Sequence, residues 1–214
     1  MSDELKLACA VLSVFISGIA FIPYYIDTWK INSVDDPRPT VSGFVCWILG
    51  DVVILAAMIA DNAISWQMVP YVIGASCLVV LCLRKSLKIA VLRGEPGHLR
   101  DAFVDWSRRD TFCIALVLAA VVIWGIKHDP DYAIYLTAFS SSVGTVAIVI
   151  PLLEDPRRES LLAWTMFLVG GLLGVIAIPA WSVTGAVAPI YFAATQLMMV
   201  VLCARRYKQK FAAA

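Results

Sequence analysis

One carboxylate lies in the middle of a long apolar segment. Asp51 falls within residues 40–60, and Gly43, Trp47 and Gly50 precede it at spacings that place all four on one helical face. An ionisable side chain at membrane depth is costly, so it usually faces an interior cavity or a partner. We therefore expect Trp47 and Asp51 to contact a bound solute. The alternative is an aspartate that is protonated, or hydrogen-bonded to a neighbouring helix, and only fixes packing.

A second polar face is predicted in residues 132–153. Thr137, Ser141 and Thr145 recur at helical spacing, which gives one face a stripe of hydroxyl groups. A stripe of this kind favours a wet pocket, although a single buried serine often bonds its own backbone instead. Gln196, inside residues 187–204, either lines the same pocket or hydrogen-bonds between helices.

The composition requires a membrane to surround these side chains. The chain has 214 residues, of which 61% are hydrophobic and 15% charged. Seven apolar segments are each close to the length of about 20 residues that crosses a bilayer as a helix, at 5–26, 40–60, 66–84, 110–126, 132–153, 160–180 and 187–204. The sequence thus predicts an all-α membrane protein with seven transmembrane helices, the first of them retained rather than cleaved as a signal peptide.

The distribution of basic residues predicts the orientation. The loops after the first, third and fifth segments and the C-terminal tail hold 15 of the 17 Lys and Arg residues, leaving only Lys6 and Lys127 on the other side. The positive-inside rule then places the N-terminus outside and the C-terminus in the cytoplasm, in a bacterial inner (plasma) membrane. The basic loop 84–109 also carries Glu95, Asp101 and Asp105, so it is expected to meet solvent or lipid headgroups and not nucleic acid.

The sequence repeats itself in three blocks. With an offset of 151 − 23 = 128, Pro23 aligns with Pro151 and Ser13 with Ser141. Residues 40–51 then align with 160–171, and 79–85 with 200–206, at offsets of 120 and 121. An internal duplication is the interpretation we favour, with chance similarity among apolar helices as the alternative. It predicts a first triple-helix bundle at 1–85, a loop and linker helix at 86–131, and a second triple-helix bundle at 132–214.

The aligned prolines are candidate hinges. Proline has no backbone N–H and disrupts a helix, so Pro23 and Pro151 are expected to bend the first and fifth helices near their cytoplasmic ends. The duplication is not symmetric in its polar residues, because Gly171 aligns with Asp51.

This 3+1+3 pattern, with a proline at the inner end of each repeat, resembles the SWEET and PQ-loop transporter superfamily. The segment from Ser42 through Trp47 to Gly50 is also similar to the second helix of SWEET proteins. The resemblance implies two bundles around a central site with alternating access. Tyr24 and Leu152 stand where PQ-loop members have glutamine. Ser76 and Gln196 lie near the places of the paired asparagines of plant SWEETs, and we include both as substrate-binding candidates.

Two functional hypotheses follow. The first is a transporter of a small polar solute; the second is a non-transporting seven-helix receptor or partner-binding protein, since the same architecture serves both. The expected partners are a small-molecule substrate and the lipid bilayer, and a homo-oligomer is left open.

Catalytic chemistry and cofactors are not predicted. The two histidines, His98 and His128, lie in predicted loops without the HExxH spacing, and the last helix has no lysine that could bind retinal as a Schiff base. No enzyme activity, metal or cofactor is therefore expected. The six cysteines all fall in apolar segments without CxxC spacing, so we expect small buried hydrophobic side chains and no disulfide framework.

Overall fold

The computed structural model describes residues 2–32, 39–60, 68–92, 107–127, 130–178, 181 and 183–212. Every regular element within these ranges is helical, which confirms the predicted all-α class. The α-helices are α1 (Asp3–Ile19), α2 (Phe21–Trp29), α3 (Val41–Ala60), α4 (Met68–Leu92), α5 (Arg108–Lys127), α6 (Pro130–Glu154), α7 (Leu161–Ile176) and α8 (Val183–Ala212). A 3-10 turn, Pro156–Arg158, joins α6 to α7. Residues 93–106 of the predicted basic loop lie outside the described residues.

The two aligned prolines have different effects on their helices. The first predicted segment is interrupted at Ala20: α1 ends at Ile19, and α2 begins at Phe21, two residues before Pro23. Because Pro23 has no N–H to donate to the carbonyl of Ile19, a break at this point is expected. By contrast, α6 continues through Pro151 to Glu154. Only the first of the two candidate hinges therefore coincides with a helix break.

The helices pack in a pattern that relates the two halves of the chain. In the first half α4 contacts α1, α2 and α3, and in the second half α8 contacts α6 and α7. Between the halves, α1 packs along α7 and α3 packs along α6, while α5 lies against α3 and α6. The sequence repeat aligns the first helix of one half (α1 and α2) with α6, and α3 with α7. Exchanging the two halves therefore converts the α1–α7 contact into the α6–α3 contact.

The start of α5 is tied to α3 by a buried carboxylate. The backbone N–H of Asp110 donates to Ser107 Oγ at 3.2 Å, and the Ser107 N–H donates back to Asp110 Oδ2 at 2.7 Å, so these residues form a capping box. The Ser42 hydroxyl on α3 donates to the other oxygen of Asp110. This contact fixes α5 against the helix that carries Trp47 and Asp51.

The polar and apolar side chains are distributed as expected for a protein in lipid. Large apolar side chains face outward, including Leu7, Phe15 and Ile126, which are 67%, 64% and 72% exposed. Several buried side chains are polar, among them Ser13, Ser17, Asp51, Ser140, Ser141, Thr145 and Gln196. Within the described part of the chain, three segments are long and apolar enough to cross a membrane: Asp3–Trp29, Arg108–Lys127 and Ala186–Arg205.

Five of the six cysteines are buried, and Cys77 is exposed. All six are free, and the prediction of a buried side chain is wrong for Cys77.

Candidate binding site

The helices enclose a central cavity between the two halves of the chain. Its wall is built from α2, α3, α4, α6, α7 and α8, and the centre of a water molecule can occupy about 30 Å³ of it. The polar side chains of the wall are Asp51, Ser141, Thr145, Thr195 and Gln196. The aromatic ones are Phe21, Phe44, Trp47, Tyr71, Trp164, Phe167, Tyr191 and Phe192. The cavity is thus much smaller than the pockets of roughly 300 Å³ or more that drug-sized ligands occupy.

Asp51 lies in the wall of the central cavity. Its side chain is 4% exposed, and within the described residues its Oδ1 has no hydrogen-bond partner. The wall contains no lysine, arginine or histidine in the part of the chain that the structure describes. A buried carboxylate without a cationic partner is costly, so the site favours a ligand or a proton that supplies positive charge.

Trp47 is fixed by a backbone carbonyl of α6. Its indole N–H donates to the carbonyl of Ser141 at 3.0 Å, and the Thr145 hydroxyl donates to the same carbonyl at 2.7 Å. A methyl group at Gly144 would lie only 2.5 Å from the Trp47 ring, so this glycine provides the space for the indole. The Ser141 Oγ is buried and has no partner among the described residues. Two of the candidates, Trp47 and Ser141, thus meet directly across the α3–α6 interface.

Gln196 belongs to a polar chain that links α8, α4 and α1. Its amide Nε2 donates to Tyr71 Oη at 2.7 Å, and that hydroxyl lies 3.3 Å from Ser17 Oγ. A Cβ at Gly171 would overlap Gln196 Oε1. Gly171, which aligns with Asp51, therefore leaves room for the side-chain amide of Gln196. Both alternatives raised for Gln196 hold together, because it lines the cavity and bonds between helices.

The aromatic side chains pack against one another around the cavity. Trp47 and Trp164 meet edge to face with centroids 5.5 Å apart, and Phe44 and Trp47 do so at 5.6 Å. Tyr71 and Phe192 stack with centroids 5.7 Å apart and an interplanar angle of 11°. The wall therefore presents many ring surfaces and few polar atoms, which suits a ligand with an apolar body.

Another buried carboxylate lies just outside the helical segments, next to Trp164 of the cavity wall. Glu159, between the 3-10 turn and α7, is 4% exposed. Its Oε2 accepts hydrogen bonds from the Tyr24 hydroxyl on α2 and from Trp164 Nε1 on α7, the latter at 3.0 Å. Burial raises the pKa of Glu159 to about 7, against the opposing effect of these two hydrogen bonds. Glu159 thus joins the helix after the α1–α2 break to the second half of the chain.

The remaining candidates lie elsewhere. Ser76 is half-buried, and its neighbour Ala75 lines the cavity in its place. The side chain of Thr137 falls outside the described residues. Pro23 and Pro151 do not line the cavity in the described part.

Sequence reasoning missed most of the aromatic wall and the whole of Glu159. Aromatic residues are common in apolar helices, so their types gave no signal, whereas the duplication did align Trp164 with Phe44. Glu159 follows a proline and two arginines, a setting typical of a solvated loop.

Metal binding has no visible basis here: within the described residues, no group of three His, Cys, Asp or Glu side chains could hold a metal ion. Comparison with known proteins gives no matching family model, no matching curated protein and no matching solved structure.

Proposed function

We propose that the chain is a SWEET-like membrane transporter that moves a small solute through the central cavity by alternating access. In this proposal seven helices cross the membrane, with α1 and α2 together forming the first, and the N-terminus lies outside. The observation that carries the proposal is the cavity itself, which lies between the two halves and takes polar side chains from both, Asp51 from one and Ser141 and Gln196 from the other.

The packing pattern supports the 3+1+3 arrangement. Each half has a last helix, α4 or α8, that contacts the other members of its own half. The contacts of α1 with α7 and of α3 with α6 exchange when the halves are exchanged. Two units related in this way could rock against each other around a site at their interface.

Alternating access predicts that the cavity is reached from both sides of the membrane. A cysteine replacing Thr195, a half-buried residue of the wall, should react with a charged, membrane-impermeant thiol reagent in right-side-out and in inside-out vesicles. Mass spectrometry of the peptide containing residue 195 keeps the native cysteines from interfering.

Val201→Cys is the matched control on the same helix. Val201 is 55% exposed on the outer surface of α8, where lipid should keep a charged reagent away on both sides. Modification of Thr195→Cys from a single side would favour the receptor hypothesis, and modification from neither side would contradict both transport and an open site.

The hinge hypothesis predicts unequal effects of the two prolines. In the Thr195→Cys background, Pro23→Ala restores a backbone donor at the α1–α2 break and should slow labelling from the cytoplasmic side severalfold. Pro151→Ala, in a helix that is already continuous, should change the labelling rate much less. Equal labelling rates in both variants and the parent would contradict a hinge at Ala20.

A further inference from the structure

We propose that the central cavity binds a small organic cation, with an aromatic or similarly apolar body and at least one N–H donor, whose positive charge lies against Asp51. This inference rests on the proposed solute site and names the chemical class of its ligand. Three features of the wall carry it: its charge, its hydrogen-bond polarity and its aromatic surface.

The charge of the wall is one-sided. Asp51 is the carboxylate of the cavity, and within the described residues no cationic side chain lines it. Replacing a proton or water at such a carboxylate with a ligand ammonium gives a charge-assisted hydrogen bond in a setting of low dielectric, where such bonds are strong. An anionic solute would instead meet an uncompensated like charge.

The hydrogen-bonding groups of the wall also favour a ligand that donates hydrogen bonds. The ring nitrogens of Trp47 and Trp164 donate to Ser141 O and to Glu159 Oε2, and the Gln196 amide donates to Tyr71. In the part of the chain that the structure describes, the buried polar side-chain atoms of the wall without a hydrogen-bond partner are Asp51 Oδ1, Ser141 Oγ and Gln196 Oε1. Two of these are acceptors only, and the third is a hydroxyl that can accept. The protein thus leaves acceptors open, and a ligand that donates hydrogen bonds matches them.

The aromatic surface favours an organic over an inorganic cation. Hard metal cations require about six oxygen ligands, whereas this wall surrounds its few oxygens with eight aromatic rings. Ring faces attract ammonium groups, and their edges pack against an apolar body. Because the cavity is smaller than such a ligand, we expect the rings and helices to separate as the ligand enters.

The test compares small cations that carry a phenyl ring with a neutral analogue, on purified protein in detergent; the three cations are called amines below. Benzylamine, phenethylamine and benzamidine are titrated beside benzyl alcohol, and binding is measured by calorimetry and by the rise in unfolding temperature. We expect at least one of the three amines to bind wild-type protein about tenfold or more tightly than benzyl alcohol. This comparison needs no variant.

Asp51→Asn keeps the size of the side chain and removes its charge. It should lower amine affinity about tenfold or more while changing benzyl alcohol affinity little. The control is Asp27→Asn, which removes a carboxylate that is 55% exposed, beside Lys30, and should leave both affinities unchanged.

Four outcomes would overturn the assignment. They are no binding by any of the three cations, equal binding of cation and alcohol, cation affinity unaffected by Asp51→Asn, or a rise in unfolding temperature with sodium chloride alone that equals the rise with the organic cations. These results are independent of transport. Amine binding combined with labelling of residue 195 from one side only would contradict the transporter and leave the ligand class standing. No amine binding combined with labelling from both sides would contradict the ligand class and leave the transporter standing.

Discussion

Replacing Glu159 with glutamine is expected to stabilise the protein above pH 7 and to flatten the pH dependence of its unfolding. Burial raises the pKa of this carboxyl from 4.5 to about 7 in the folded protein. The folded state therefore holds a proton that the unfolded chain releases between these values, so the free energy of unfolding falls as pH rises from about 4.5 to 7. The loss is at most roughly 3 kcal/mol, and Glu159→Gln should remove it.

The neighbours of Glu159 determine how cleanly this effect can be measured. Tyr24 from α2 and Trp164 from α7 donate to it, and a glutamine carbonyl can accept both bonds. Two other groups act on it: Arg158 through its charge and Thr40 through its backbone N–H, and both lower the pKa of Glu159. Their variants are not needed, because both residues remain in wild type and mutant alike.

The measurement is denaturant or thermal unfolding in detergent from pH 5 to 8. Glu154→Gln, which removes an exposed carboxylate five residues away, should follow the wild-type curve. Parallel curves for wild type and Glu159→Gln would show that this carboxyl does not bind its proton more tightly in the folded state.

The positions of the helices could be predicted from the sequence because one signal, apolar length, determines them. Each of the seven predicted segments contains a helix, the form in which a long apolar segment satisfies its backbone hydrogen bonds within itself. The break at Ala20 was displaced from the expected bend at Pro23. The reason is local: a proline removes the hydrogen bond to a carbonyl four residues earlier, so the distortion appears on its N-terminal side.

The candidate site could be predicted only where a residue type was out of place. Asp51, Trp47, Ser141, Thr145 and Gln196 were conspicuous in apolar segments, and the structure places all five in the cavity wall. Ser76 was proposed by analogy of position, and a difference of one residue along α4 brings Ala75 to the wall instead. The contacts that shape the site depend on helix rotation and on partners more than 100 residues away, such as Tyr71 for Gln196.

The roles of the glycines also depend on contacts between helices that the sequence does not show. The alignment of Gly171 with Asp51 is visible in the sequence, but its physical reason is the volume of a glutamine on another helix. Gly43 shares a helical face with Trp47 and Asp51 in the sequence, but only the structure shows that its small size lets α6 approach α3 closely. This close approach holds Trp47 beside Ser141, so filling the space at Gly43 should destabilise the protein.

Gly43→Ala is expected to destabilise the protein by about 1 to 2 kcal/mol. A Cβ at residue 43 would overlap the fully buried side chain of Ile148 and lie 2.9 Å from the carbonyl oxygen of Gly144. The backbone oxygen cannot move without displacing α6, so overpacking of about 1 to 3 kcal/mol should exceed the gain of up to about 1 kcal/mol from the higher helix propensity of alanine. The free energy of unfolding in detergent measures the difference.

Gly125→Ala in α5 measures the effect of helix propensity alone on the free energy of unfolding, because a Cβ there meets nothing within 4 Å. It should leave the protein equally or slightly more stable, by up to about 1 kcal/mol. Ile148→Ala opens space opposite Gly43, so Gly43→Ala combined with Ile148→Ala should be less destabilising than the sum of the two single changes by about 1 kcal/mol. If Gly43→Ala proves as harmless as Gly125→Ala, or if the two changes are simply additive, then α3 and α6 do not approach closely at this point. The indole of Trp47 would then lack the contact that positions it in the cavity wall.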